Sequence, residues 1–231
     1  MRPLLAAATG VALAACRTLP EAPTTQGREI GSLGALFFWA AVAVAVVVYG
    51  LILWSVLRYR RRPGGLPPQV RSNIPVEVVY TLVPVALVVV LFVLSYRAEV
   101  RVEAPADRPA ATIHVTAFDW SWRFDYEGTD VSVIGTPDDP PEMVLPVGDP
   151  VRIRLTSTDV IHAFYVPDFL FKRDAIPGRT TSFDLTLDEP GVFRGLCAEF
   201  CGLGHYRMRF TVRGVSAEQF DQWLADREAA G

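Results

Sequence analysis

The 231-residue sequence predicts a membrane-anchored all-β protein: a two-helix transmembrane hairpin, a sandwich of β-strands and a short C-terminal helix. Three observations carry that expectation. Residues 31–57 and 78–96 contain no charged side chain, and each run is long enough to cross a hydrocarbon core of roughly 30 Å as a helix. The segment between them, RYRRRPGGLPPQVRSN, carries Arg58, Arg60, Arg61, Arg62 and Arg71. From residue 98 onward, short alternating runs such as VRIRLT and SFDLTL stand between prolines and glycines, the pattern of antiparallel strands in a sandwich.

Taken in order, the chain opens with Arg2 and an apolar run over residues 4–15 that is too short to span a bilayer, so 1–15 reads as a signal peptide. The tetrapeptide Leu13-Ala14-Ala15-Cys16 resembles the lipobox of bacterial lipoproteins, which implies cleavage before Cys16 and a lipid on its sulfur; a plain secretory signal with an incidental cysteine is the alternative. Residues 16–30 form an extracytoplasmic segment and 31–57 the first span. The arginine-rich loop, 58–75, is cytoplasmic by the positive-inside rule, and 76–96 is the second span, with Pro84 as a candidate kink. Both termini are therefore outside. The β-domain occupies 98–214. In the last segment, 215–231, Ser216 and Gln219 have capping-box spacing, and Phe220, Trp223 and Leu224 form one apolar face.

Charge divides unevenly along the chain. From residue 98 there are thirteen basic against twenty-two acidic side chains, a net −9, which suits a basic protein partner and no nucleic acid. Plain solubility is the simpler reading of the same surface. Read as one strand, AFDWSWRFDY puts Phe118, Trp120, Trp122, Phe124 and Tyr126 on one face, the pattern of a buried aromatic stripe.

The chemistry concentrates in CAEFCGLGHYRM, residues 197–208. Two thiols, an imidazole and a thioether in one turn-sized stretch form a soft donor set suited to copper. A second imidazole must come from His114 or His162; His162, at a strand end after VRIRLT, is the candidate, while His114 within TIHVT reads as an ordinary strand histidine. A disulfide between Cys197 and Cys201 and a Cys₂His₂ zinc site compete with copper, but neither uses Met208.

With the upstream His162 and the two spans, the pattern Cys-x-Glu-x-Cys-x-x-x-His-x-x-Met on Cys197, Glu199, Cys201, His205 and Met208 resembles subunit II of haem–copper cytochrome c oxidases. The resemblance implies a cupredoxin-like Greek-key β-barrel holding a dinuclear copper centre, CuA. Cys197 and Cys201 would bridge the coppers, with His162 and His205 as one ligand each and Met208 and the Glu199 carbonyl as weak ligands. It further implies that Trp120 receives electrons from cytochrome c and that the chain passes them to haem in a catalytic subunit I. Asp119 and Ser121 depart from the family's aromatic stretch. By the same resemblance Glu77 stands at the entrance of a proton path and the Glu199 side chain faces a magnesium ion shared with the catalytic subunit. Tyr80 and Pro84 depart from the family's context around Glu77. Asp174 matches a family carboxylate near the subunit interface, where a structural role is expected. With three histidines and no Cys-x-x-Cys-His, the chain has no room for a haem or for the large His-rich domain of a nitrous-oxide-reducing enzyme. A quinol oxidase subunit would lack the copper ligands, and a copper carrier or sensor would need neither Glu77 nor the acidic face.

Overall fold

The computed structural model describes residues 21–60 and 69–230. The expected signal peptide, the lipidation of Cys16, and Arg61 and Arg62 lie outside the described residues. Two compact units result, one formed by Ser32–Glu99 and the other by the remaining described residues.

The first unit consists of most of two long helices, α1 (Thr25–Arg58) and α2 (Ile74–Val102), each extending beyond its uncharged run. Both are long and apolar enough to cross a membrane, and their apolar windows are not buried by protein. Water would oppose such exposure of Trp39, Leu53, Leu82 and Phe92, whereas lipid favours it. Helix α2 runs through Pro84.

The second unit is built from ten strands in two five-stranded sheets. The first sheet has the order β3 (Ser132–Ile134), β2 (Ser121–Tyr126), β1 (Ala111–Phe118), β5 (Pro150–Ser157), β8 (Thr181–Thr186). The second has β4 (Glu142–Pro146), β10 (Arg209–Val215), β9 (Gly191–Cys197), β6 (His162–Val166), β7 (Phe171–Ala175). Most pairs are antiparallel as expected. Two are not: β1 lies parallel to β5, and β4 parallel to β10. These crossovers are what close the Greek-key arrangement, and period-two patterning carries no information about which strands become neighbours.

Alternation does set the faces. In β5, Val151, Ile153 and Leu155 are buried, and they meet Ile113, Val115 and Ala117 of β1 in register. The aromatic stretch departs from the single strand expected for it. Strand β1 ends at Phe118 and β2 begins at Ser121, paired Phe118↔Ser121, so the chain reverses through Asp119 and Trp120. Only Trp122, Phe124 and Tyr126 therefore share the buried face. Trp122 packs edge-on to Phe210 at 5.1 Å and Phe164 at 6.1 Å, and Phe164 stacks on Phe210 at 4.7 Å. Each such buried ring stabilises the fold by about 1.5–3 kcal/mol. The Tyr126 hydroxyl joins the two sheets, donating to the Val144 carbonyl at 3.1 Å and accepting from its N–H at 2.8 Å.

The C-terminal helix α3 (Ala217–Ala230) starts with the predicted capping box: the Gln219 N–H donates to Ser216 Oγ at 3.3 Å, and the Ser216 N–H donates to Gln219 Oε1 at 3.1 Å. Its apolar face packs on the barrel, with Trp223 5.0 Å and Phe220 6.2 Å from the Tyr126 ring.

One feature had no sequence signal. The start of α1 and the residues before it are fastened to the barrel just after β8. Thr24 bridges to Leu187, the Asp188 N–H donates to the Pro23 carbonyl at 2.9 Å, Gln26 accepts from the Thr186 N–H at 3.0 Å, and Arg28 pairs with Asp188. Gly27 fits because a Cβ there would lie 2.5 Å from the Phe169 carbonyl oxygen.

Candidate metal centre

The site forms where β6 and β9 meet. These strands pair antiparallel with Phe164 opposite Cys197, and the Ala198 N–H donates to the Ala163 carbonyl at 3.2 Å. That register carries His162, the first residue of β6, to Cys197, the last of β9. The loop between β9 and β10 then turns back over the sheet's end. Gly202 takes a left-handed conformation (φ +112°), a single turn of 3-10 helix spans His205–Arg207, and the Cys197 N–H closes on the Met208 carbonyl at 2.9 Å. Burying Met208, Cys197 and Cys201 at this end makes the loop continuous with the core.

All six expected ligand positions are brought together. Cys197 Sγ and Cys201 Sγ are 3.8 Å apart, too far for a disulfide bond of about 2.05 Å, and both thiols are free. His162 Nδ1 is 3.9 Å from Cys197 Sγ, His205 Nδ1 is 3.5 Å from Cys201 Sγ, and Met208 Sδ is 3.9 Å from Cys201 Sγ. The Glu199 carbonyl oxygen lies 3.2 Å from Cys197 Sγ. His162, Cys197 and Cys201 offer atoms close enough to hold one metal ion. His114 is elsewhere, in β1, paired with Glu127 at 3.0 Å.

The electrostatics call for a cation. Burial raises the Cys197 thiol, but its contacts with His162 and the Ala163 backbone outweigh that and bring it down to about 6. Burial and then the neighbouring Cys197 push Cys201 up to about 12. Two thiolates at this separation repel strongly, so both ionise together only with positive charge between them. Burial lowers the His162 pKa, yet Cys197 and Asp159 together raise it above its ordinary value. The donor set of two thiolates, two imidazole nitrogens, a thioether and a carbonyl fits soft to borderline transition metals.

Trp120 closes the site from the β1–β2 turn. Its Nε1–H donates to the Cys201 carbonyl at 3.0 Å, and its indole lies flat against Gly204, where any Cβ would overlap the ring. On the ligand loop that Trp120 touches, Phe200, Leu203 and Tyr206 are exposed apolar side chains, as are Val160 and Ile161 just before His162. Next to it sits a residue that sequence reasoning passed over: Asp159, whose Oδ1 is 2.7 Å from His162 Nε2. Its spacing, Asp-x-x-His, was the available signal.

The remaining candidates are placed differently. The Glu199 side chain pairs with Lys172 at 3.0 Å, and Lys172 also faces Asp174 at 3.4 Å. Glu77 lies in the first turn of α2, where its Oε1 accepts from the Asn73 N–H at 2.9 Å and Asn73 Oδ1 accepts from the Val76 N–H at 3.5 Å, a reciprocal helix cap.

The chain resembles known proteins over both of its parts. The sequence model described as Cytochrome C oxidase subunit II, periplasmic domain, matches residues 129–215, and that of the transmembrane domain of the same subunit matches residues 12–98. The "Probable cytochrome c oxidase subunit 2" of Streptomyces avermitilis is 38% identical, over 92% of this chain and 79% of its own length. The cytochrome c oxidase subunit 2 of Corynebacterium glutamicum is 31% identical over 91% and 76%. Among solved structures, the periplasmic domain of subunit II of the cytochrome oxidase of Bradyrhizobium japonicum superposes with a TM-score of 0.50 at 31% identity, covering 55% of this chain and 99% of that domain.

Proposed function

This chain belongs to the cytochrome c oxidase subunit II family, and from that we propose that it is the electron-input subunit of the oxidase, carrying electrons from reduced cytochrome c through a dinuclear CuA centre to haem in the catalytic subunit. There dioxygen would be reduced to water with proton pumping. One observation carries the reading: two free thiols 3.8 Å apart, each with its own imidazole nitrogen within 4 Å. A mononuclear blue-copper site would use one of these thiols, and a Cys₂His₂ zinc site would leave Met208 without a role.

Cys197, Cys201, His162 and His205 would hold the metals, with Met208 and the Glu199 carbonyl as further, weaker donors. When bound, a copper pair sharing two thiolates supplies a site where one electron spreads over both ions, so little rearrangement accompanies its gain or loss. The chain's own residues do the rest. The buried sulfurs exclude water, the β6–β9 register fixes His162, the 3-10 turn of the loop places His205, and Trp120, tied to the Cys201 carbonyl, offers an aromatic path from the surface to the ligand loop. The exposed apolar side chains around Trp120, within a domain of net −9, support docking of a small cationic donor.

Further parts of the reading rest on the family resemblance. Glu77 is proposed as the entrance of a proton path, and Glu199 as a magnesium ligand shared with the catalytic subunit once Lys172 is displaced. A signal peptide cleaved before Cys16 and a lipid on the sulfur of Cys16 would add to the anchoring. The test is spectroscopic: the copper-loaded full chain should be purple, with a seven-line hyperfine pattern in electron paramagnetic resonance. A four-line blue spectrum or a colourless zinc protein would refute it.

A further inference from the structure

The outer side of His162 is as ordered as its ligand side. His162 is fully buried, and with Nδ1 turned to Cys197 only Nε2 remains for another partner. That partner is Asp159. Its Oδ1 accepts from His162 Nε2 at 2.7 Å and from the Val160 N–H at 2.6 Å, with Ser157 Oγ 3.2 Å away and closer, at 2.5 Å, to the Val160 carbonyl that accepts its O–H. Its Oδ2 accepts the Asp119 N–H at 2.6 Å. Asp119 is the residue before Trp120, so the second oxygen holds the β1–β2 turn. Trp120 is thus fixed at two points, through the Asp119 amide on one side and through Nε1 to the Cys201 carbonyl on the other.

We propose that Asp159 is a positioning residue with two simultaneous tasks: one oxygen fixes His162 with its Nδ1 lone pair facing the thiolates, and the other holds the turn that places Trp120 over the ligand loop. The inference rests on the copper reading for its first task only. A carboxylate on the far nitrogen of a ligating imidazole fixes the tautomer and strengthens the donor. The second task is geometric. A single carboxylate that touches both the ligand and the turn of the electron-receiving ring keeps their separation constant, which matters where electron transfer depends steeply on distance.

Two substitutions separate the tasks in the full chain. Asp159→Ala removes both; Asp159→Asn keeps one oxygen, which stays where it meets more donors, at His162 and Val160, and turns its NH₂ toward the Asp119 N–H. Copper affinity is read by chelator competition, and the turn is read by amide exchange of the peptide containing Asp119 and Trp120 in the metal-free protein, with β1 and β5 amides reporting global folding. The alanine variant should lose about 10–100-fold in copper affinity and exchange faster at the turn, with β1 and β5 still protected. The asparagine variant should keep copper affinity near that of the unmodified chain yet exchange faster at the turn. Unchanged affinity in the alanine variant overturns the first task, and unchanged turn exchange in both variants overturns the second. If the unmodified chain shows no copper-pair spectrum, the copper reading fails while the exchange experiment still decides the second task.

Discussion

Asp184 shows how a single residue holds the frame of the β-domain. It is nearly buried in β8, yet Arg152 reaches both its oxygens at 2.8 Å and the Ala106 N–H donates to one of them. Burial works against its ionisation, but the guanidinium and the amide hold its carboxyl below the usual carboxylate range. A folded-state pKa lowered in this way gives stability that is present above the ordinary value near about 4 and is lost as pH falls through the depressed value. Asp184→Asn is expected to cost about 2–3 kcal/mol near neutral pH. Thermal unfolding followed from pH 7 downward should show the two proteins converging in acid. A second expectation concerns Gly204. Replacing it with alanine places a methyl group inside the Trp120 indole, so the ring must move. Gly204→Ala should cost roughly 1–3 kcal/mol and, on the proposed function, slow reduction by cytochrome c, measured by stopped flow, while leaving the ligand set intact.

Elements are where sequence and structure agree most closely, and where the disagreement is most instructive. Charge-free runs revealed both spanning helices, since lipid leaves no alternative to apolar side chains over that length. VRIRLT revealed β5 and its buried face, and the Ser216/Gln219 pair revealed the start of α3. Ser216→Ala should cost about 1 kcal/mol, visible as earlier loss of Trp223 packing in fluorescence melts. The ligand loop was legible as chemistry because its donors are adjacent in sequence. His162 was legible only as a candidate, because its place beside Cys197 depends on the β6–β9 register. The turn at Asp119 and Trp120 was hidden inside an unbroken alternation of aromatics, with no Gly or Pro to mark it. Asp159 was hidden too, since a lone carboxylate in a loop has many uses until its partner is in place.

On the scale of the whole molecule, the chain is a membrane protein with an acidic extracytoplasmic domain, and its charge has a measurable consequence. Steering of a cationic donor weakens as ions screen the field, over a distance that shrinks from about 30 Å at 0.01 M to about 8 Å at 0.15 M salt. On the proposed function, the second-order rate constant for reduction by cytochrome c should therefore fall steeply across that range. A rate independent of salt would remove the acidic domain from the docking step and leave the apolar side chains around Trp120 to act alone.

The fastening of the N-terminal segment beside β8 also sets a clock on biosynthesis. Thr25 bonds Asp188 across 163 residues of sequence. At about 5–20 residues per second of synthesis, its partner emerges on the order of ten to thirty seconds later. During that interval the segment has no barrel to join, so its fastening is a late step that waits for β8 and the residues just after it to be made.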